Sequence, residues 1–210
     1  MRRLLTVLLL LASPPALAQI QREPVVGLPC EGCEAVFDGM PGKIDSHARI
    51  APTTEPGVPM KVSGTVFGTD GRPRAGIVIY AYQTNRDGIY PQSAVVRDPE
   101  TRRQGSLRSW ARTDAGGRYA FDTIRPGSYP AQDVPEHIHM HVLEPGCATY
   151  YVDDIMFTDD PKLTPVQIRR IARNRGGNGI STPVLRAGTW QVQRDIHLGE
   201  NIPGYRDCRS

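Results

Sequence analysis

His137-Ile138-His139-Met140-His141-Val142 is the stretch that decides the reading of this chain. Polar and apolar residues alternate one by one, the period of a β-strand, in which side chains at i and i+2 share a face about 6.6 Å apart. Three imidazoles therefore face one way, while Ile138, Met140 and Val142 face the other, towards a core. Two imidazoles at that separation can converge on one metal ion at about 2.1 Å from each nitrogen, as in His-x-His sites of β proteins. Three of the five histidines fall inside this run, so metal binding outweighs a half-exposed strand that carries them by chance.

Further short alternating runs, divided by turn signals, lie on either side. Val62 to Phe67, the turn Asp70-Gly71-Arg72-Pro73 and Ile77 to Tyr82 make one strand-turn-strand unit. Ser106 to Thr113, Asp114-Ala115-Gly116-Gly117 and Arg118 to Thr123 make a second, ended by Arg125-Pro126-Gly127. Tyr150 to Phe157 and Trp190 to Leu198 add strands, and the spacing predicts an all-β antiparallel sandwich. One short helix is expected, with Thr164 as N-cap, Pro165 at its first position and Gly176 past its last turn. Its Arg169, Arg170, Arg173 and Arg175 read as a solvated basic face.

Composition agrees. The 210 residues include 21 Gly and 19 Pro, which favours a turn-rich β protein over a helix bundle. With 25 Lys+Arg against 22 Asp+Glu, the balance of charge is too small for a nucleic-acid groove.

Residues 1–18 carry Arg2 and Arg3, an apolar run through Leu8 to Leu11, and Ala16-Leu17-Ala18, the pattern of a secretory signal peptide cut before Gln19. The apolar run is shorter than the roughly 20 residues a bilayer needs, and no later transmembrane candidate follows. The expectation is an exported, periplasmic or extracellular protein with no membrane attachment after cleavage. Residues 19–58, rich in Pro, Gly and charge, read as an extended N-terminal arm, and 59–210 as the sandwich domain. In an oxidising compartment Cys30, Cys33, Cys147 and Cys208 imply two disulfides that anchor the arm. Three pairings are open. Disulfides rank ahead of a redox or zinc use of the Cys30-Glu31-Gly32-Cys33 motif.

Two histidines do not complete a metal site. Glu144 follows His139 by five residues, and its carboxylate would give an Fe(II) or Mn(II) centre resembling the first motif of cupins. The Gly expected before the first His is missing, however, and His197 lacks a second cupin motif. Tyr90, closing Asp87-Gly88-Ile89-Tyr90, and Tyr129, within Arg125-Pro126-Gly127-Ser128-Tyr129-Pro130, are the other candidates. At a turn a phenol can leave the sheet. A phenol ordinarily loses its proton near pH 10, but a trivalent cation supplies enough local charge to make tyrosinate the resting form.

Taken as an ordered set, several pieces resemble the intradiol ring-cleavage dioxygenases, the non-haem iron family that includes protocatechuate 3,4-dioxygenase and catechol 1,2-dioxygenase. They are Val62-Ser63-Gly64-Thr65-Val66, Gly71-Arg72-Pro73, Gly88-Ile89-Tyr90, Thr113 to Tyr119, Thr123 to Pro130 and His137-Ile138-His139. The resemblance runs from Val62 to Phe157, with a weaker echo at Asp195-Ile196-His197-Leu198. It implies a Greek-key sandwich of the prealbumin type that holds Fe(III) by Tyr90, Tyr129, His137 and His139, with water or hydroxide as a further ligand. By the same resemblance Tyr129 is the catalytic tyrosinate, which leaves the metal and takes a proton as a small aromatic diol chelates; O2 is the second substrate and a muconate-type diacid the product. Two positions depart from the family. Val134 stands where many members place an Arg, and Asp154 where they place a Gln. Arg125 and Arg112 are the candidates to supply the missing charge, and His141 reads as a neighbour of the ligands or a surface residue rather than a fifth ligand. The departures define the alternative, a secreted prealbumin-like binding module that keeps the iron but has lost ring cleavage. Nothing in the composition demands a second subunit, which leaves homo-oligomer formation open.

Overall fold

The apolar face of the histidine strand is buried as its alternation requires: Ile138, Met140 and Val142 lie in the main core. The computed structural model describes residues 23–208 apart from 31, 93–95 and 97, so the expected signal segment 1–18 falls outside the described residues. Its strands are β1 (His47–Arg49), β2 (Pro59–Phe67), β3 (Val78–Gln83), β4 (Arg108–Arg112), β5 (Arg118–Ile124), β6 (His137–Glu144), β7 (Ala148–Phe157), β8 (Ile180–Ser181), β9 (Val184–Arg186), β10 (Thr189–Gln193) and β11 (Ile196–His197). One sheet runs β1-β5-β2-β10-β9, with β11 also on β2; the other runs β4-β3-β6-β7-β8. Their facing sides enclose Met60, Val62, Phe121 and Val192 from the first sheet, and Ile79, Ile138, Met140, Val152 and Ile155 from the second. This is an all-β sandwich.

Neither expected strand-turn-strand unit is a hairpin. β2 and β3 belong to opposite sheets, and so do β4 and β5, so their turns carry the chain across the sandwich. Both members of each unit bury apolar side chains in the same core from opposite sides. The hairpins are β9–β10, closed at Ala187-Gly188, and β6–β7, closed at Pro145-Gly146, where Gly146 has φ 74° and Cys147 N–H donates to Glu144 O at 2.9 Å.

All of β3 is buried because it is covered on both faces. Ile79 and Ala81 join the main core, while Val78, Tyr80 and Tyr82 form a second cluster with Val36, beneath Phe37, Met40 and Ile44. This outer cover comes from the N-terminal segment, whose 3-10 turn Cys33–Val36 accepts the Trp110 indole N–H at Val36 O, 2.7 Å away. Disulfides do not tie this segment to the sandwich. Cys30 pairs locally with Cys33, and Cys147 with Cys208, so the second bridge fastens the C-terminal end to the β6–β7 turn. The anchoring is done instead by apolar packing and by β1, which adds to β5 in parallel.

The expected helix is α2 (Pro165–Ile171), capped by Thr164 Oγ1, which accepts from Gln167 N–H at 3.2 Å. It stops earlier than Gly176 predicts, because the Asp153 carboxylate takes the Arg173 and Asn174 N–H groups, each at 2.7 Å, and draws the chain off the helical path. A second helix, α1 (Pro99–Arg103), was not expected; Asp98 caps it and Pro99 opens it. Among the described residues no helix is long and apolar enough to cross a membrane.

Candidate metal centre

The two leading histidines of β6 project from the sheet face opposite the main core. His137 is buried and His139 half-buried. Opposite them β7 is irregular: Ile138 pairs with Ile155 and Met140 with Val152, so Asp153 and Asp154 together face the single residue His139. Such a bulge re-aims side chains. It sends Asp153 to the end of α2 and points Asp154 at the Nδ1 of His139, 3.0 Å away. His137 Nδ1 in turn lies 2.7 Å from Pro135 O. A carbonyl and a carboxylate can only accept, so in both rings Nδ1 carries the hydrogen and Nε2 keeps a bare lone pair. Burial, with His139 beside it, pushes the His137 imidazole below its ordinary value and keeps it neutral. Burial alone would raise the Asp154 carboxyl, but its neighbour His139 and the hydrogen bond from that ring hold it below the usual carboxylate range.

The tyrosines arrive on two loops that grip each other. In residues 84–90, Asn85 Oδ1 accepts from the N–H groups of Asp87 and Ile89, both at 3.0 Å, and folds the chain into a tight turn. Gly127 N–H donates to Asn85 O at 2.8 Å, and Thr84 Oγ1 donates to Gly127 O at 2.8 Å. The approach demands glycine: a Cβ on Gly88, whose φ is 77°, would stand 1.9 Å from Ser128 O, and one on Gly127 would stand 2.3 Å from Arg86 O. The loops thereby bring the phenol oxygens of Tyr90 and Tyr129 to 2.5 Å.

All four predicted residues are brought together. Tyr90 Oη lies 2.9 Å from His139 Nε2; Tyr129 Oη lies 3.1 Å from His137 Nε2 and 3.3 Å from His139 Nε2; and the two Nε2 atoms are 3.1 Å apart. Donors bound about 2.0–2.1 Å from one ion sit about 2.9–3.4 Å from each other, so these four separations fit a metal, while the 2.5 Å between the phenol oxygens is that of a hydrogen bond between them. The donor chemistry fits as well. Two lone-pair nitrogens and two phenol oxygens face a common centre, and hard anionic oxygen suits a trivalent cation. Burial, then the neighbouring Tyr129, drives the Tyr90 phenol far above its ordinary range, so ionisation there calls for a cation. The Tyr82 ring stacks on His139 at 4.3 Å between centroids and backs the centre.

The other sequence candidates lie elsewhere. Glu144 sits at the far end of β6, accepting from Tyr150 Oη at 2.7 Å and Tyr205 Oη at 3.3 Å, which removes the cupin-like alternative. His141 is fully buried, not at the surface, and its ligand nitrogen lies within 4.8 Å of the Cys30 and Cys33 sulfurs. Arg125 is committed to Glu136 at 2.7 Å and to Asp159 at 2.7 and 2.8 Å, over the rings of Phe157 and Trp190; Arg112 donates to Gly76 O. Neither fills the role left by Val134.

Beside His137 opens a cavity of about 370 Å³ lined by Val134, Pro135, Tyr151, Met156 and Ile171, among others. Arg170 and Gln167 of α2 complete its wall, so one face of this helix belongs to the site and Arg170 is not merely part of a solvated basic run. The signal was present in the spacing of Gln167, Arg170 and Ile171, three and four residues apart on one helical face.

A sandwich with a His-x-His strand and two loop tyrosines around one centre defines a class of β proteins whose donor set could hold a metal ion. The family is shown by the chain itself: residues 39–176 match the family described as Dioxygenase, and the protein belongs to the intradiol ring-cleavage dioxygenases. It is 32% identical over 118 residues to "Catechol 1,2-dioxygenase 2" of Acinetobacter lwoffii, covering 49% of this chain and 41% of that protein. It is 30% identical over 107 residues to "Protocatechuate 3,4-dioxygenase beta chain" of Burkholderia cepacia, covering 49% of this chain and 46% of that one. The chain thus spans less than half the length of these relatives. In fold it is similar to the dioxygenase domain of a dioxygenase carbohydrate-binding protein fusion from Streptomyces sp. SirexAA-E, with a TM-score of 0.57, 23% identity, and coverage of 77% of this chain and 96% of that one.

Proposed function

We propose that the protein is a non-haem Fe(III) dioxygenase that opens a catechol-type ring between its two hydroxyl-bearing carbons, placing both atoms of O2 in a muconate-type diacid. The observation that carries this reading is the convergence of Tyr90 Oη, Tyr129 Oη, His137 Nε2 and His139 Nε2 within 3.3 Å of one another along the contacts named above.

When bound, a ferric ion supplies Lewis acidity that draws electron density from a catecholate and opens its ring to O2. The protein's own groups do the rest. His137 and His139 present lone pairs whose direction is fixed from behind by Pro135 O and Asp154. Tyr90, between Tyr129 and His139, is the permanent anionic anchor. Tyr129, on the Pro126–Pro130 loop, takes a proton at Oη from an entering substrate hydroxyl. Val134, Pro135, Met156 and Ile171 offer apolar walls to a flat ring and keep water from it. The signal-peptide pattern of residues 1–18 supports export of this chemistry from the cytoplasm, and mass spectrometry of a secreted chain should then find Gln19 at its start.

The test is elemental analysis and a visible spectrum of the purified protein, followed by an oxygen electrode with catechol, protocatechuate, hydroxyquinol and gallate. The expected result is one iron per chain, a tyrosinate-to-iron band and oxygen uptake with at least one diol. A colourless, iron-free protein made under iron-replete conditions would sink the reading; iron and colour with no uptake would identify a binding module instead.

A further inference from the structure

The fold treats its two metal-facing histidines differently. Behind His137 stands a neutral backbone carbonyl, Pro135 O at 2.7 Å; behind His139 stands a full negative charge, Asp154 Oδ1 at 3.0 Å. Asp154 is buried, and among the described residues its only ion-pair partner is His139. The charge reaches this place because the β7 bulge sets two residues against one. The phenol of Tyr151, on the same strand and lining the same cavity, lies near enough to the Asp154 carboxylate for burial and that charge to hold it far above its ordinary range, and its O–H dipole competes for the same charge.

We propose that Asp154 is a positioning residue that makes His139 the stronger of the two imidazole donors and biases the centre towards a trivalent over a divalent metal. The inference rests on the ferric reading above. A carboxylate behind a ligating imidazole raises the basicity of its metal-bound nitrogen, and in a poorly solvated site its charge stabilises each added positive charge on the ion. Pro135 O holds a ring as firmly but contributes no such charge.

Asp154→Asn keeps the shape and an oxygen to accept the Nδ1 hydrogen, and removes the charge. Titration of the metal-free variant should show Fe(III) affinity down about 10–100-fold, with Zn(II) affinity falling less. In the iron-loaded variant the phenolate-to-iron band should move to lower energy, since a weaker donor leaves the ion more electron-poor. Tyr151→Phe removes the competing phenol and should move the band to higher energy. Opposite shifts are what a merely structural role cannot give, and the Tyr151 variant keeps the idea testable if Asn at 154 does not fold. Unchanged Fe(III)-to-Zn(II) preference in Asp154→Asn, or band shifts of the same sign in both variants, would overturn the proposal. A wild-type protein without iron or colour overturns the ferric reading, and this inference with it, before either variant is made.

Discussion

The two halves of the centre are built by different physics. His137 and His139 rise from one strand whose opposite face is locked in the core by Ile138 and Met140, so their spacing is that of the pleat. Tyr90 and Tyr129 lie 39 residues apart on two loops, and nothing but the contact between those loops brings their oxygens to 2.5 Å. The strand-borne half is rigid because the sandwich is rigid. The loop-borne half depends on Gly88 and Gly127 giving way to a neighbour's backbone, and can therefore be lost while the fold survives.

Gly88→Ala is the sharpest way to separate them. The new methyl must displace Ser128 O, and alanine must hold φ near 77°, so a loss of about 4–5 kcal/mol is expected. Thermal denaturation reads the loss. Iron content should fall with it, while hydrogen exchange in β6 stays slow. A variant that keeps its iron would show that the loops can be positioned without that close approach.

Metal removal probes the same contrast without a mutation. Binding to the folded state alone should stabilise the protein by about 4 kcal/mol at a thousandfold excess over Kd. Protection from exchange should rise chiefly in residues 84–90 and 125–130. Equal gains in β6 would mean that the histidines, too, await the metal.

Within the loop-borne half the two phenols should part company. Tyr90→Phe should abolish most of the visible band, because Tyr90 is the anchor between Tyr129 and His139. Tyr129→Phe should alter the band, retain the metal and lower turnover at least about 100-fold, the loss expected for a missing proton acceptor. Stopped-flow and steady-state oxygen uptake distinguish them.

The same division explains what could be read from the sequence. Alternation through 137–142 gave both faces of β6 and, with them, half of the centre. Periodicity carries no information on contacts between loops, so the tyrosines were found through the ordered resemblance rather than from geometry. The bulge left one trace: Val152 and Ile155 are both core residues although three apart, where a regular strand gives two. That trace is what hid the reach of Asp154 to His139. Arg170 is exposed, as the basic run predicts, while the helical phase that also brings it with Gln167 to the cavity depends on packing. The cysteines stand out in sequence as anchors of the arm, whereas the apolar cover that Phe37, Met40 and Ile44 give to β3 is scattered through a Gly- and charge-rich segment and carries no period.

The smallest effect concerns the clamp at the root of the Tyr129 loop. Arg125 begins that loop and is fastened to Glu136, just before β6, and to Asp159, just after β7. Its hydrogen bonds hold the Asp159 carboxyl below its ordinary value. A carboxyl lowered in the folded state stabilises the protein fully above its unfolded value, about 3.9, and that contribution is lost as pH falls through the folded value. Because Asp159 is partly exposed, Asp159→Asn should cost less than about 1 kcal/mol at neutral pH. In urea titrations the difference from wild type should shrink towards zero below pH of about 3. No difference at neutral pH would assign the clamp to Glu136 alone, and a difference that persists in acid would show that Asp159 acts by something other than its charge. The β6 histidines need no such clamp, so the Asp159 variant should change the tyrosinate band before it changes iron affinity.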